Sequence, residues 1–260
     1  MCGRYTFAPD LSQLGELFPG LEPPADAATL APRYNIAPTQ DVPVVRNDGR
    51  RRVELVRWGL VPSWAKDPAI GNRMINARAE TAAEKPSFRA AYRKRRCLVL
   101  ADGFYEWQKV PGERTKQPYH VRMKDGRPFA FAGLWEAWRQ REGRRRGAAG
   151  GAEPGDAGSR QTGAGEAAAG DDWLLTCTIL TTAPNDLMKP IHDRMPVILP
   201  RGAYDAWLAE GEAPPDEIAA LLVPFDPGAM EAYPVSRAVN NPKHDAPELV
   251  EPLSGGGPAS

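Results

Sequence analysis

The sequence predicts an α+β fold: one domain built on a mixed, largely antiparallel β-sheet or pseudo-barrel with short flanking helices. Three observations predict it. Short runs rich in β-branched and aromatic residues recur along the chain, as strands require. Helical spacing of apolar residues is confined to brief segments. The 27 prolines in 260 residues demand many turns and short elements. In order, Leu11 to Phe18 reads as a helix, with Leu11, Leu14, Leu17 and Phe18 on one face. Val42 to Val45, Val53 to Trp58, Cys97 to Gly103, Tyr119 to Met123 and Pro128 to Trp135 read as strands. Trp173 to Thr182 is a further strand, and Ala203 to Ala209 and Pro215 to Leu222 are further helices.

A chain that is 42% hydrophobic and 25% charged has the composition of a soluble globular protein. The stretch 139–172 departs from it, being rich in Gly, Ala and charge with no apolar period. Such a segment cannot bury enough apolar surface to order itself. A low-complexity disordered insertion at 139–172 is therefore expected within a single domain spanning 1–253, followed by a flexible tail at 254–260. No stretch approaches the roughly 20 apolar residues that cross a bilayer. The opening MCGRYTF lacks a signal-peptide run. The expectation is a cytoplasmic protein without a membrane partner. Cys2, Cys97 and Cys177 cannot all pair, and their spacing matches no zinc pattern, so neither a metal nor another cofactor is expected.

The formal charge is zero but unevenly spread. Residues 1–147 hold 27 Lys and Arg against 16 Asp and Glu, a difference of +11; the remainder holds 6 against 17, a difference of −11. A basic first part suits a polyanion such as nucleic acid, and equally a surface balanced by the other part in the folded molecule.

Five segments carry candidate chemistry. Removal of Met1 would leave Cys2 with an amine and a thiol on adjacent carbons, a pair that closes on an aldehyde as a thiazolidine. A free α-amine titrates at about 7.7–8.0, so part of it is nucleophilic near neutral pH. The alternative is an incidental residue on a frayed terminus. Glu106 follows an apolar run that opens at Cys97, and sits between Tyr105 and Trp107; packing against them would raise its pKa toward a general acid or base range. His192 lies between Pro190 and Pro196 beside Asp193 and Arg194, a stiff polar loop suited to proton transfer. His120 and His244 read as structural. Asn76 and Arg78, two apart on an extended segment, share a face and could orient a substrate and hold a phosphate; a turn with an Arg78–Glu80 ion pair is the plainer reading. Basic and aromatic residues interleave in Arg33 to Pro38 and Arg57 to Lys66, as single-stranded nucleic acid binding requires. The run Arg93 to Arg96 reads as a solvated basic face.

Each signal is weak alone; in this order they are specific. MCGRYTF, RYNIAP, RWGLVPSWAKD, INARAET, RRCLVLADGFYEWQ, QPYHVRM, FAGLWE, TILTTAPN, IHDRMPVIL and VSRAVNNPKHDAPELVEPL resemble the SRAP (SOS response-associated peptidase) family from residue 1 to about residue 253. The resemblance implies processing of abasic sites in single-stranded DNA during the DNA damage response. It implies Cys2 as the residue forming the thiazolidine, with Asn76, Glu106 and His192 as further catalytic residues. Arg4, Asn35, Trp64 and Arg78 fall at positions resembling DNA contacts. Some members carry a second Trp after Trp64, where this chain has Ala65. The implied partners are abasic single-stranded DNA and replication-fork proteins, with nucleoid association when bound. Lyase chemistry is an implied side reaction, and a cysteine peptidase using Cys2 is the alternative activity. A noncovalent single-strand binding module would leave Glu106 and His192 unexplained.

Overall fold

A computed structural model describes residues 2–9, 11–18, 20–22, 24, 30–139 and 173–253. The expected insertion lies outside the described residues apart from Arg139, which ends a strand, and the tail 254–260 lies outside them entirely. In chain order the elements are β1 (Tyr5–Phe7), α1 (Leu11–Leu17), β2 (Arg33–Ile36), β3 (Asp41–Arg46), β4 (Val53–Trp58) and β5 (Asn76–Arg78). Then come α2 (Ala79–Ala82), α3 (Arg89–Lys94), β6 (Arg96–Ala101), β7 (Gly103–Gln108), β8 (Gln117–Met123), β9 (Phe129–Arg139) and β10 (Trp173–Thr182). The last are β11 (Met195–Pro196), β12 (Ile198–Leu199), α4 (Tyr204–Trp207), α5 (Pro215–Ala220) and β13 (Met230–Pro234).

Two sheets form the molecule. One runs β13-β8-β7-β1-β2 and is antiparallel throughout. In the other, β10 pairs with both β4 and β9, so β10-β4-β3-β6-β9 closes into a five-stranded barrel, to which β5, β11 and β12 attach. Among the strands of the described residues, β10 alone makes parallel pairs, with β4 and β5. The expected α+β class with a mixed, largely antiparallel pseudo-barrel is the fold observed.

Closure explains the patterns. Every residue of β6, RCLVLA, is buried, because barrel strands lose one face to the interior and the other to covering elements. In β9 large and small residues alternate through Phe129, Ala130, Phe131 and Ala132, and Phe129 meets Phe131 edge-on at 5.3 Å. Tyr5 joins the two sheets: its ring stands edge-on to Trp58 at 5.4 Å and to Phe131 at 5.8 Å.

The expected strand Cys97 to Gly103 divides at Asp102, where the chain leaves the barrel and enters the other sheet as β7. Strands β1, β2 and β13 are too short or too polar to show in sequence, and β5 owes its extension to pairing with β10. The expected solvated basic run at 93–96 is corrected at its last member. Arg96 is fully buried and donates to the carbonyls of Arg93, Trp207 and Ala209 at 2.7, 2.8 and 2.6 Å. Its guanidinium satisfies carbonyls that end α3 and α4. Arg96→Ala is expected to cost about 3 kcal/mol or more, since buried acceptors lose a charged partner; urea denaturation measures it.

Candidate active site

The site forms where the N-terminal segment meets β7. Tyr5 pairs with Phe104, and Tyr105 N–H donates to Arg4 O at 3.0 Å. Carried on, this antiparallel register sets Gly3 opposite Glu106, and Cys2, the next residue, lies near enough for its thiol to feel the Glu106 charge. Cys2 is fully buried, its thiol 3.9 Å from Arg4 O. Burial, and then the nearby Glu106 charge, push that thiol well above its ordinary pKa, so it stays protonated in this pocket.

Asn76 reaches the same place from the barrel side. Residues Asn76–Arg78 run parallel to Ile179–Thr181. The indole of Trp58 donates to Ile75 O at 2.8 Å and fixes the approach. Asn76 Nδ2 donates to Cys2 O at 2.7 Å. Its Oδ1 is buried and has no hydrogen-bond partner among the described residues. Such an acceptor is costly unless something fills it, and a substrate hydroxyl or amine would do so.

Glu106 is 2% exposed. This burial, expected from packing against Tyr105 and Trp107, has another source. Neighbours in a strand point to opposite faces. Tyr105 and Trp107 pack with Tyr233, Val235, Val239 and Leu249 on one side. Glu106 therefore faces the other side, toward Cys2 and the loop holding His192. Burial raises its pKa, and His192 opposes the rise.

His192 Nε2 lies 3.8 Å from Glu106 Oε2. Gln108 Nε2 donates to Pro190 O at 2.9 Å and ties this loop to β7. At the other nitrogen, Arg194 N–H donates to Nδ1 at 3.1 Å, and Asp193 Oδ1 stands 2.9 Å away. One nitrogen serves only one of these at a time. It accepts from Arg194 when bare and donates to Asp193 when it carries a proton, so the ring has a held partner in either state, as a proton shuttle needs.

Arg194 is a residue that sequence reasoning passed over. Its guanidinium grips Glu80 at 2.6 and 2.9 Å and Thr181 O at 2.5 Å, joining the His192 loop to the segment after Asn76. The alternative Arg78–Glu80 pair is thereby corrected: Arg194 takes Glu80, and Arg78 stands exposed at the end of β5.

The remaining candidates divide. Trp64 is 56% exposed, at a groove of about 320 Å³ that Lys66 and Arg73 also line. Arg4 is half-buried and donates to Asn35 Oδ1 at 2.7 Å and Val239 O at 2.8 Å. Asn35 is buried, and its amide donates to Asn241 O at 3.0 Å and His244 O at 2.6 Å. It anchors the C-terminal segment and orients Arg4. Trp107 Nε1, bonded to Asn240 Oδ1 at 2.8 Å, secures the same segment. His120 is buried on β8. Among the described residues no group of three or more His, Cys, Asp and Glu side chains could hold a metal ion, and no helix is long and apolar enough to cross a membrane.

The buried Glu106 carries a stability prediction. Its folded pKa lies above its unfolded one, so the folded state holds the proton longer as pH rises. Stability is lost as pH climbs from the unfolded to the folded pKa. Glu106→Gln is expected to raise Tm by a few degrees at neutral pH, with the gain vanishing below the ordinary carboxylate range; thermal melts across pH measure it.

A model of the SRAP family, SOS response associated peptidase, matches residues 1–242. The chain is 42% identical over 252 residues to the abasic site processing protein YoqW of Bacillus subtilis (strain 168), covering 96% of this chain and 99% of that one. It is 31% identical over 292 residues to the abasic site processing protein HMCES of Xenopus tropicalis, covering 96% of this chain and 78% of that one. A crystal structure of a protein from Bacteroides thetaiotaomicron superposes with a TM-score of 0.75 at 25% identity, covering 97% of this chain and 100% of that one.

Proposed function

The chain belongs to the SRAP (SOS response associated peptidase) family, and on that premise we propose that it is an abasic-site processing protein acting on single-stranded DNA. It captures the ring-opened sugar of an abasic site covalently on Cys2. The observation that carries this reading is that Asn76 holds the carbonyl of the buried Cys2, whose thiol feels the charge of the buried Glu106, with His192 Nε2 3.8 Å from Glu106. The names of the Bacillus and Xenopus relatives support the substrate.

The chemistry follows from the groups present. Once Met1 is removed, the Cys2 α-amine adds to the aldehyde carbon and the carbinolamine loses one water, giving an imine. The thiol then adds across the C=N bond, its proton passes to the nitrogen, and a thiazolidine closes. The net change is one water lost and one C–N and one C–S bond gained. Glu106 moves protons between amine, departing hydroxyl and thiol, which a carboxyl of raised pKa does well. His192 relays protons to and from Glu106 and, through that relay, assists sugar ring opening. Asn76 orients Cys2 through Nδ2 and offers Oδ1 to a substrate hydroxyl.

Order matters. A thiol kept protonated by burial is a poor first nucleophile, whereas the amine needs no thiolate until the ring closes beside Glu106. The same fact opposes a peptidase led by a Cys2 thiolate. An imine that opens before the thiol closes on it permits β-elimination, so lyase chemistry accompanies capture. Arg4 and Arg78 meet phosphates, Trp64 stacks on a base, and Asn35 contributes by holding Arg4. Mixing the protein with abasic and with intact single-stranded DNA tests the reading. A heat-stable covalent species with abasic DNA alone is expected; equal noncovalent binding of both, without it, would overturn the proposal.

A further inference from the structure

Behind β1 runs a chain of buried polar groups that the chemistry above does not use. Thr6 Oγ1 and Asp102 Oδ1 share a short hydrogen bond, and Ala8 N–H donates to Asp102 Oδ2 at 2.8 Å. Thr6 Oγ1 lies 3.4 Å from His120 Nε2, and His120 Nδ1 lies 3.0 Å from the Tyr233 hydroxyl. That hydroxyl donates to Val250 O at 3.0 Å. Thr6 and His120 are almost fully buried. A Cβ on Gly103 would stand 2.2 Å from His120 Nε2 and 2.8 Å from Thr6 Oγ1, so only glycine lets the imidazole reach β1.

The protons can be counted. Tyr233 spends its proton on Val250 O, so it accepts from His120, which must carry its proton on Nδ1. His120 Nε2 is then bare and faces the Thr6 hydroxyl, which has one proton for two acceptors. With a proton on Asp102, the carboxyl donates to Thr6, Thr6 donates to His120, and every group is satisfied. Burial raises the Asp102 pKa, against the hydrogen bonds from Thr6 and Ala8 and the charge of Arg122 on β8, which is itself paired with Glu231 at 2.7 Å.

We infer that Asp102, Thr6, His120 and Tyr233 are positioning residues for the covalent reaction, an ordered chain that fixes how β1 lies against β7. Asp102 N–H also donates to Thr6 O at 3.1 Å, so one residue holds both the backbone and the side chain of Thr6. Four residues upstream, the Cys2 carbonyl is held by Asn76. The strand is thus pinned at two points, and the Cys2 amine, thiol and Glu106 carboxylate meet only while both hold. The inference rests on the reading of Cys2 as the capturing residue.

Single-turnover crosslinking at saturating abasic single-stranded DNA tests it. Thr6→Val removes the hydroxyl at nearly constant volume and is expected to slow crosslinking about tenfold or more, the scale of a small misplacement of reacting groups. Thr6→Ser is expected to restore it, and DNA affinity measured with Cys2→Ala alongside Thr6→Val is expected to match Cys2→Ala alone. Wild-type rates in Thr6→Val, or failure of Thr6→Ser to rescue, overturn the inference. Nitrogen-15 NMR of the wild-type protein gives a second readout that needs neither DNA nor a variant: His120 protonated at Nδ1 supports the chain, and protonation at Nε2 overturns it. Absence of crosslinking by the wild type counts against the function itself and leaves the NMR result to decide the chain.

Discussion

Cys2→Ser is expected to abolish the heat-stable adduct with abasic DNA while leaving borohydride-trappable imine. The α-amine survives this change, so attack on the aldehyde and loss of water still occur. What fails is the second bond, because a serine hydroxyl closes on an imine weakly and reversibly. The expected pattern is no stable product, persistent trapping and an increase in strand cleavage through β-elimination. Undiminished stable adduct would show that the thiol forms no bond to the sugar. Loss of trapping together with loss of adduct would show that the thiol acts before the amine, against the protonated state that burial imposes on it.

Glu106→Gln is expected to slow capture by about 10²–10⁴-fold, the usual worth of a positioned general acid or base. The amide keeps the shape and removes the ability to take up a proton. The rate should also lose its acid limb, because that limb reports ionisation of a carboxyl raised by burial. His192→Ala should cost less than Glu106→Gln, since His192 acts through Glu106 at 3.8 Å. The double variant should be little slower than Glu106→Gln alone, as expected for residues acting in one relay. Single-turnover rates from pH 5 to pH 9 read all three. Combined with the higher Tm expected for Glu106→Gln, this makes Glu106 a group that costs stability in the resting protein and acts in the reaction.

The parts of the molecule legible in sequence are those whose cause is local. Trp173–Thr182 reads as a strand from its own composition and is one, with the same ends. Cys2, Asn76, Glu106 and His192 stand out because each is a reactive type in an unusual setting, and the fold brings them next to one another. What could not be read depends on partners distant in the chain. Asn35 resembles a DNA contact, yet its amide is committed to carbonyls more than two hundred residues away. Arg96 lies in a basic run that reads as solvent-facing, but helix ends from elsewhere need its guanidinium. The burial of Glu106 is foreseen for the wrong reason, because flanking aromatics in a strand turn to the opposite face. Asp102 is visible only as the Asp of an Ala-Asp-Gly step, and its attachment to Thr6 appears only once β1 lies against β7.

On the proposed function the α-amine of Cys2 is the first nucleophile, since only an N-terminal cysteine offers amine and thiol to one carbon. Intact mass spectrometry of the mature protein, before and after mixing with abasic single-stranded DNA, tests this most directly. The expected result is a chain lacking Met1 that converts to one species equal to protein plus DNA minus one water. An adduct that retains Met1, or no covalent species at all, would contradict capture by the Cys2 amine.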